Sequence, residues 1–267
     1  MIYHGDLSKM KAEQGESVKY TLRMEEKDVV MNDLIGNKIS MRFTGIIHCV
    51  ACGKVTKKAF GQGFCYSCFM SSPLNSECII RPELCEAHLG KGRDPGWEEE
   101  NHNKPHFVYL ALTSGVKVGV TREDQVPVRW IDQGAWKAIK LARTPYRRIA
   151  GQIEVSLKNY LTDKTPWQKM LKNEMDFSAD LVRVKEIISH KIPLSLGEYI
   201  LSHDQEIFEF NYPVLRYPEK LKSLSPDKNP SIDAILTGIR GQYLMFNYSD
   251  VLNVRSNSGY EIELSVH

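Results

Sequence analysis

All six cysteines of this 267-residue chain lie between Cys49 and Cys85. No other feature restricts the fold as strongly. Cys49-x-x-Cys52 is followed, twelve residues later, by Cys65-x-x-Cys68. Each Cys-x-x-Cys turn offers two thiolates from one tight loop, and tetrahedral Zn²⁺ takes four such soft ligands. Gly53 follows the first pair, and Gly61 and Gly63 precede the second. Glycines there let backbone amides approach the thiolates and satisfy their charge. Two pairs joined by a short linker form the zinc-ribbon pattern, although this linker is a little under the common range. Four unrelated core thiols or a redox dithiol are the competing readings. Two paired motifs exceed what one exchange reaction uses.

Cys78, Cys85 and His88 form a second group, Cys-x6-Cys-x-x-His. A closed site needs one more ligand. His102 is the expected fourth ligand of a second zinc, with His106 the other downstream donor. Buried free cysteines are the alternative reading. The chain has no His-Glu-x-x-His motif, so any zinc is expected to be structural, holding a segment poor in periodicity.

Composition narrows the class. The chain is 42 % hydrophobic and 25 % charged, near globular averages, which excludes wholesale disorder and fibrous repeats. No apolar run approaches the ~18 residues of a membrane span. The first twenty residues have no apolar core and do not read as a secretion signal. A cytoplasmic, reducing location is therefore expected, in which clustered cysteines are metal ligands rather than disulfides. The net charge is only +2, yet residues 106–176 carry twelve Lys/Arg against seven Asp/Glu. That basic middle permits nucleic-acid binding, and an ordinary solvated helix face is the alternative.

Patterning gives an α+β chain in four parts. Residues 1–47 are β-rich, with residues 1–17 polar and loose. Val18, Tyr20, Leu22 and Met24 alternate, as do Ile39, Met41 and Phe43. Residues 48–105 are the Cys/His-rich zinc-ribbon segment. Residues 106–192 are an α/β module. HFVYLAL and VKVGV make a hairpin, Pro127 opens a short helix, and AIKLA is a third strand. Thr144-Pro145 starts a helix carrying Ile149, Ile153, Leu157 and Tyr160, and Ser178 caps another. Residues 193–267 return to strands, including EIFEFNYPVLRY, with SNSG as a hairpin turn. The two β-rich ends are expected to pair, residues 18–47 with the C-terminal part, because exposed strand edges need partners.

The order of polar residues in the module is distinctive. Tyr109 lies in its first strand, Lys117 and Gly119 in its second, Arg129 on its first helix and Glu154 on its second. Here the chain resembles the GIY-YIG endonuclease superfamily over about residues 106–170. The family's Gly-Ile-Tyr and Tyr-Ile-Gly read here as Phe107-Val108-Tyr109 and Lys117-Val118-Gly119. The family's helix arginine and later helix glutamate match Arg129 and Glu154, and its asparagine near the end of the core has no match. The whole layout, about residues 35–265, is similar to an uncharacterised bacterial family with a domain of unknown function. That family joins a zinc-ribbon stretch to a GIY-YIG-like stretch and carries a phrase similar to VRWIDQGAWKAI. It tends to keep further cysteines, at whose equivalents this chain has Asn75, Gly92 and Asn103.

The resemblance implies Mg²⁺-dependent phosphodiester hydrolysis. Tyr109 would be the base or would position water, Glu154 would hold the Mg²⁺, and Arg129 would clamp the phosphate. Lys117 stands where the family's second tyrosine would be. A nuclease acting on DNA or RNA is one expectation. Non-catalytic nucleic-acid binding, or protein interaction through a structural zinc ribbon, is the alternative.

Overall fold

The structure is a computed structural model and describes residues 1–162 and 164–266. It is mixed α+β, with three sheets among the described residues. The strands are β1 Ile2–Asp6, β2 Lys11–Glu13, β3 Lys19–Leu22, β4 Val29–Val30, β5 Lys38–Ile47, β6 His106–Leu112, β7 Val116–Arg122, β8 Lys137–Thr144, β9 Ile207–Glu209, β10 Lys222–Leu224, β11 Ser231–Arg240, β12 Tyr243–Phe246, β13 Asp250–Asn253 and β14 Tyr260–Val266. The helices are α1 Tyr66–Ser71, α2 Pro95–His102, α3 Val128–Asp132, α4 Arg147–Leu157, α5 Trp167–Leu171 and α6 Leu181–Ser189. No helix among the described residues is long and apolar enough to cross a membrane.

The chain divides into two compact units. The first is Met1–Met70 with Asn211–His267, and the second is Ser71–Phe210. The 48–105 segment therefore does not stay together. Its first four cysteines belong to one unit and its last two to the other.

In the first unit a seven-stranded sheet runs β1-β14-β5-β11-β12-β13-β10, and β2-β3-β4 form a smaller sheet. β5 pairs antiparallel with both β11 and β14, through Met41↔Ile232 and Met41↔Leu264. Ile39 and Met41 are buried, as their alternation implies. Residues 1–17 are not loose. β1 pairs with β14, and Tyr3, Leu7, Met10 and Ala12 are buried. Their strands are short, and β1 is ordered by a partner more than 250 residues away, Tyr3 opposite Leu264. SNSG is not a hairpin turn either. β13 pairs with β12 and β10, whereas β14 pairs with β1 and β5.

In the second unit four antiparallel strands run β7-β6-β8-β9. Every residue of β6 is buried, because both faces of this central strand are covered. One face carries Val108, Leu110 and Val118 against Ile149, Ile153 and Leu157 of α4 and Leu181 and Ile188 of α6. On the other face Trp130 of α3 packs on Tyr109, Phe208 and Phe210, with ring centroids 5.7, 4.9 and 6.4 Å apart. Only Ile207–Glu209 of the EIFEFNYPVLRY stretch is a strand. The helix starts shift by two residues. Tyr146 precedes α4, while Thr144 ends β8. Asp180 caps α6, its carboxylate accepting from Val182 N and Arg183 N, while the Ser178 hydroxyl donates to Asp176.

Candidate metal centres

The first centre is built by two knuckles of the first unit. The Gly53 amide donates to Cys49 O at 2.8 Å and the Cys49 amide to Lys54 O at 2.9 Å, closing the first turn. Gly53 has φ +70°, a left-handed conformation that favours glycine. Phe60 and Phe64 pair across the second turn, and the Phe69 amide donates to Cys65 O at 2.8 Å. Gly63 is tighter still. With φ +99°, a Cβ there would stand 2.4 Å from Ser258 O.

These turns bring one ligand atom each from Cys49, Cys52, Cys65 and Cys68 within 4.8 Å of one another. The Cys52 and Cys65 sulfurs are 4.0 Å apart. Zn–S bonds of about 2.3 Å put the edges of a tetrahedron at about 3.8 Å, whereas a disulfide needs about 2.05 Å. All four thiols are free. Burial pushes the Cys49 thiol up, but the backbone amides of Cys65, Ala51 and Cys52 outweigh it and bring it down to about 6. Cys68 is pushed up to about 12 by hydrogen bonding to Cys65 and Cys52. The donor set and spacing fit a structural zinc.

The second group lies in the other unit. One ligand atom each from Cys78, Cys85, Glu98 and His102 lies within 4.8 Å of the others, and all four residues are buried. His88 is not among them. Its ring stacks on Tyr146, centroids 4.5 Å apart and nearly parallel. Glu98 takes the place expected for it, and the sequence reading passed over this residue. The available signal was its position four residues before His102, on one face of α2. A bond to Cys85 draws the Cys78 thiol down to about 4, with His102 and Ser76 helping, and the same pairing pushes Cys85 up. Burial and the Cys78 charge push the Glu98 carboxyl up. Arg147 of α4 donates to Cys78 O at 3.1 and 3.0 Å and to Ile79 O at 3.0 Å, tying the cysteine loop to that helix. His106 is buried elsewhere at the start of β6, its Nδ1 2.7 Å from Lys104 O, and burial brings it down to about 3.

A third group, Asp6, His48 and Glu261, lies in the first unit. An ion pair of 2.9 Å between His48 and Asp6, and a 2.7 Å bond from Thr44 to Glu261, account for these side chains.

In the α/β module the structure brings Tyr109 and Arg129 together. The Tyr109 hydroxyl donates to Gln133 Oε1 at 2.8 Å. Burial pushes the phenol up, the hydrogen-bonded Arg129 guanidinium pulls it down, and the Glu154 carboxylate pushes it up again. A Cβ at Gly119 would stand 2.6 Å from the Tyr109 hydroxyl, so the phenol requires glycine opposite it. Lys117 is two residues from Gly119 on β7, hence on the same face of the sheet, and is buried. Tyr109 has no exposed surface. Glu154 is in none of the groups able to hold a metal among the described residues.

Part of the basic middle is paired with carboxylates. Arg122 pairs with Asp124, Arg143 with Glu123, Lys137 with Glu209 and Lys140 with Glu206, at 2.6–3.3 Å. The ribbon differs. Residues 34–76 contain no Asp or Glu, and Lys54, Lys57, Lys58 and Tyr66 are exposed on it.

The model of a family described as a protein of unknown function (DUF2797) matches residues 36–262. No curated protein and no solved structure matches the chain.

Proposed function

The chain belongs to the DUF2797 family of unknown function, and on that premise we propose a zinc-binding protein whose ribbon contacts nucleic acid. Zinc at Cys49, Cys52, Cys65 and Cys68 is structural in this reading. It holds two knuckles that carry the contact surface. One observation carries the reading: Lys54, Lys57, Lys58 and Tyr66 are exposed on a stretch without a single carboxylate. Lysines there would neutralise phosphates, and the Tyr66 ring offers a face on which a base can stack. Of residues 106–176, the paired Arg122, Lys137, Lys140 and Arg143 add little to that field.

Binding to single-stranded and duplex oligonucleotides by fluorescence anisotropy tests this. The affinity should fall steeply with salt. Replacing Lys54, Lys57 and Lys58 with Ala should make the log–log slope shallower by about two to three, since each phosphate contact contributes about 0.7–0.9. An unchanged slope would refute the ribbon as the contact surface. Absence of any binding would favour protein interaction instead.

The hydrogen bond between Tyr109 and Arg129, with Glu154 near enough for its charge to act on the phenol, favours a second reading, Mg²⁺-dependent phosphodiester hydrolysis of the GIY-YIG type. Glu154 belongs to no group of three or more metal-ligating side chains among the described residues, so Mg²⁺ there would lean on water and substrate phosphate oxygens. Arg129 would neutralise charge on the phosphoryl oxygens, and Lys117 would assist from the same sheet face. Tyr109 must be uncovered before it can meet a substrate. The expected result is Mg²⁺-dependent cleavage that Glu154→Ala abolishes. Cleavage that survives this substitution would remove Glu154 from the mechanism.

A further inference from the structure

We propose that Cys78, Cys85, Glu98 and His102 form a second, closed zinc site, with Glu98 as its oxygen ligand. The proposal is independent of the ribbon and of nucleic-acid binding, because all four residues lie in the other unit.

The four ligand atoms are gathered within 4.8 Å of one another, close enough for one ion to reach them all. Cys78 Sγ is 3.7 Å from His102 Nδ1 and 3.9 Å from Glu98 Oε2. Zn–S bonds of about 2.3 Å and Zn–N or Zn–O bonds of about 2.0–2.1 Å require tetrahedral edges of about 3.3–3.8 Å, those to sulfur at the upper end. Glu98 Oε2 and His102 Nδ1 lie in close contact. The Ser76 hydroxyl lies 3.2 Å from Cys78 Sγ, placed to support a thiolate from outside the shell.

Burial gives the second, separate observation. Glu98 is 1 % exposed, His102 3 %, Cys85 2 % and Cys78 8 %. Glu98 Oε1 is buried with no hydrogen-bond partner. An ion pair with His102 satisfies one carboxylate oxygen only. The other, Oε1, is left in the interior, and an unpaired buried oxygen is costly. A divalent cation at the centre resolves this arrangement, since it takes both sulfurs, the imidazole and the carboxylate together. Two thiolates, an imidazole and one carboxylate are a donor set for zinc rather than for Mg²⁺ or Ca²⁺.

The chain shapes the space for Glu98. A Cβ at Gly92 would stand 2.4 Å from Glu98 Cγ, so the glycine leaves room for the carboxylate arm. Around the site, the chain from Pro73 to Leu89 is four short 3-10 turns, each closed by local backbone bonds and none extended into a longer helix. The metal would hold them to α2 while Arg147 holds them to α4.

The test is zinc content and zinc X-ray absorption of the full chain. Two zincs per chain are expected, with an average of three sulfurs and one nitrogen or oxygen around each. Cys85→Ser should retain one zinc in an all-sulfur environment. Glu98→Gln, close to isosteric, should lower the affinity of one zinc at least tenfold while His88→Ala leaves both in place. A single zinc with four sulfurs in the unaltered protein would overturn the proposal. Loss of a zinc in His88→Ala, with both kept in Glu98→Gln, would overturn the assignment of Glu98.

Discussion

Gly151 shows at the scale of one residue how packing reverses an intrinsic preference. It lies inside α4, where Ala is favoured over Gly by about 1 kcal/mol. A Cβ at this position would stand 2.2 Å from Glu83 N and 2.4 Å from Pro82 C. Those atoms are backbone and cannot rotate away, so overpacking of about 1–3 kcal/mol outweighs the helix gain. Gly151→Ala should therefore lower the midpoint of thermal unfolding, which differential scanning fluorimetry would read. A rise would show that the loop yields. The candidate ligands divide along the same line. Cys49, Cys52, Cys65 and Cys68 are legible because each pair is made within one turn. Glu98 was not, because a lone glutamate in a charged helix resembles any solvated one, and only its 1 % exposure sets it apart. His88 has the spacing of a ligand, yet its ring is engaged by Tyr146.

Among the elements, α2 has the most to do for its length. Asp94 caps it, accepting from Trp97 N at 3.1 Å, and Pro95 takes the first helical position. The turn GKGRDPGWEEENHNKP reads as loop by composition, because glycines and prolines crowd its start. Asp-Pro is nonetheless a helix-start signal, and eight residues follow as helix. Asp94→Ala should destabilise the second unit by about 1 kcal/mol, measured as a lower denaturant midpoint. An unchanged midpoint would mean that the metal ligands, not the cap, hold this helix. The hairpin β6–β7, β8, α4 and α6 were legible because local periodicity and turn residues specify them. β1 was not, because its ordering comes from pairing with β14 rather than from its own five residues.

Across the whole molecule, the sequence order and the spatial order part company. Strands from both ends of the chain share one seven-stranded sheet, and the cysteine-rich segment is divided between two units. The order of residues alone settled the class, α+β, the ribbon knuckles and the core helices of the α/β module. All of these depend on contacts within a turn or a few turns, where spacing translates directly into geometry. Tertiary structure alone decided which strands are neighbours, which charges of residues 106–176 are neutralised, that Tyr109 is covered, and that Glu98 rather than His88 joins Cys78, Cys85 and His102. Each of these is a choice among residues far apart in the chain. It is made by burial and by the space between packed elements, and neither can be read from sequence distance.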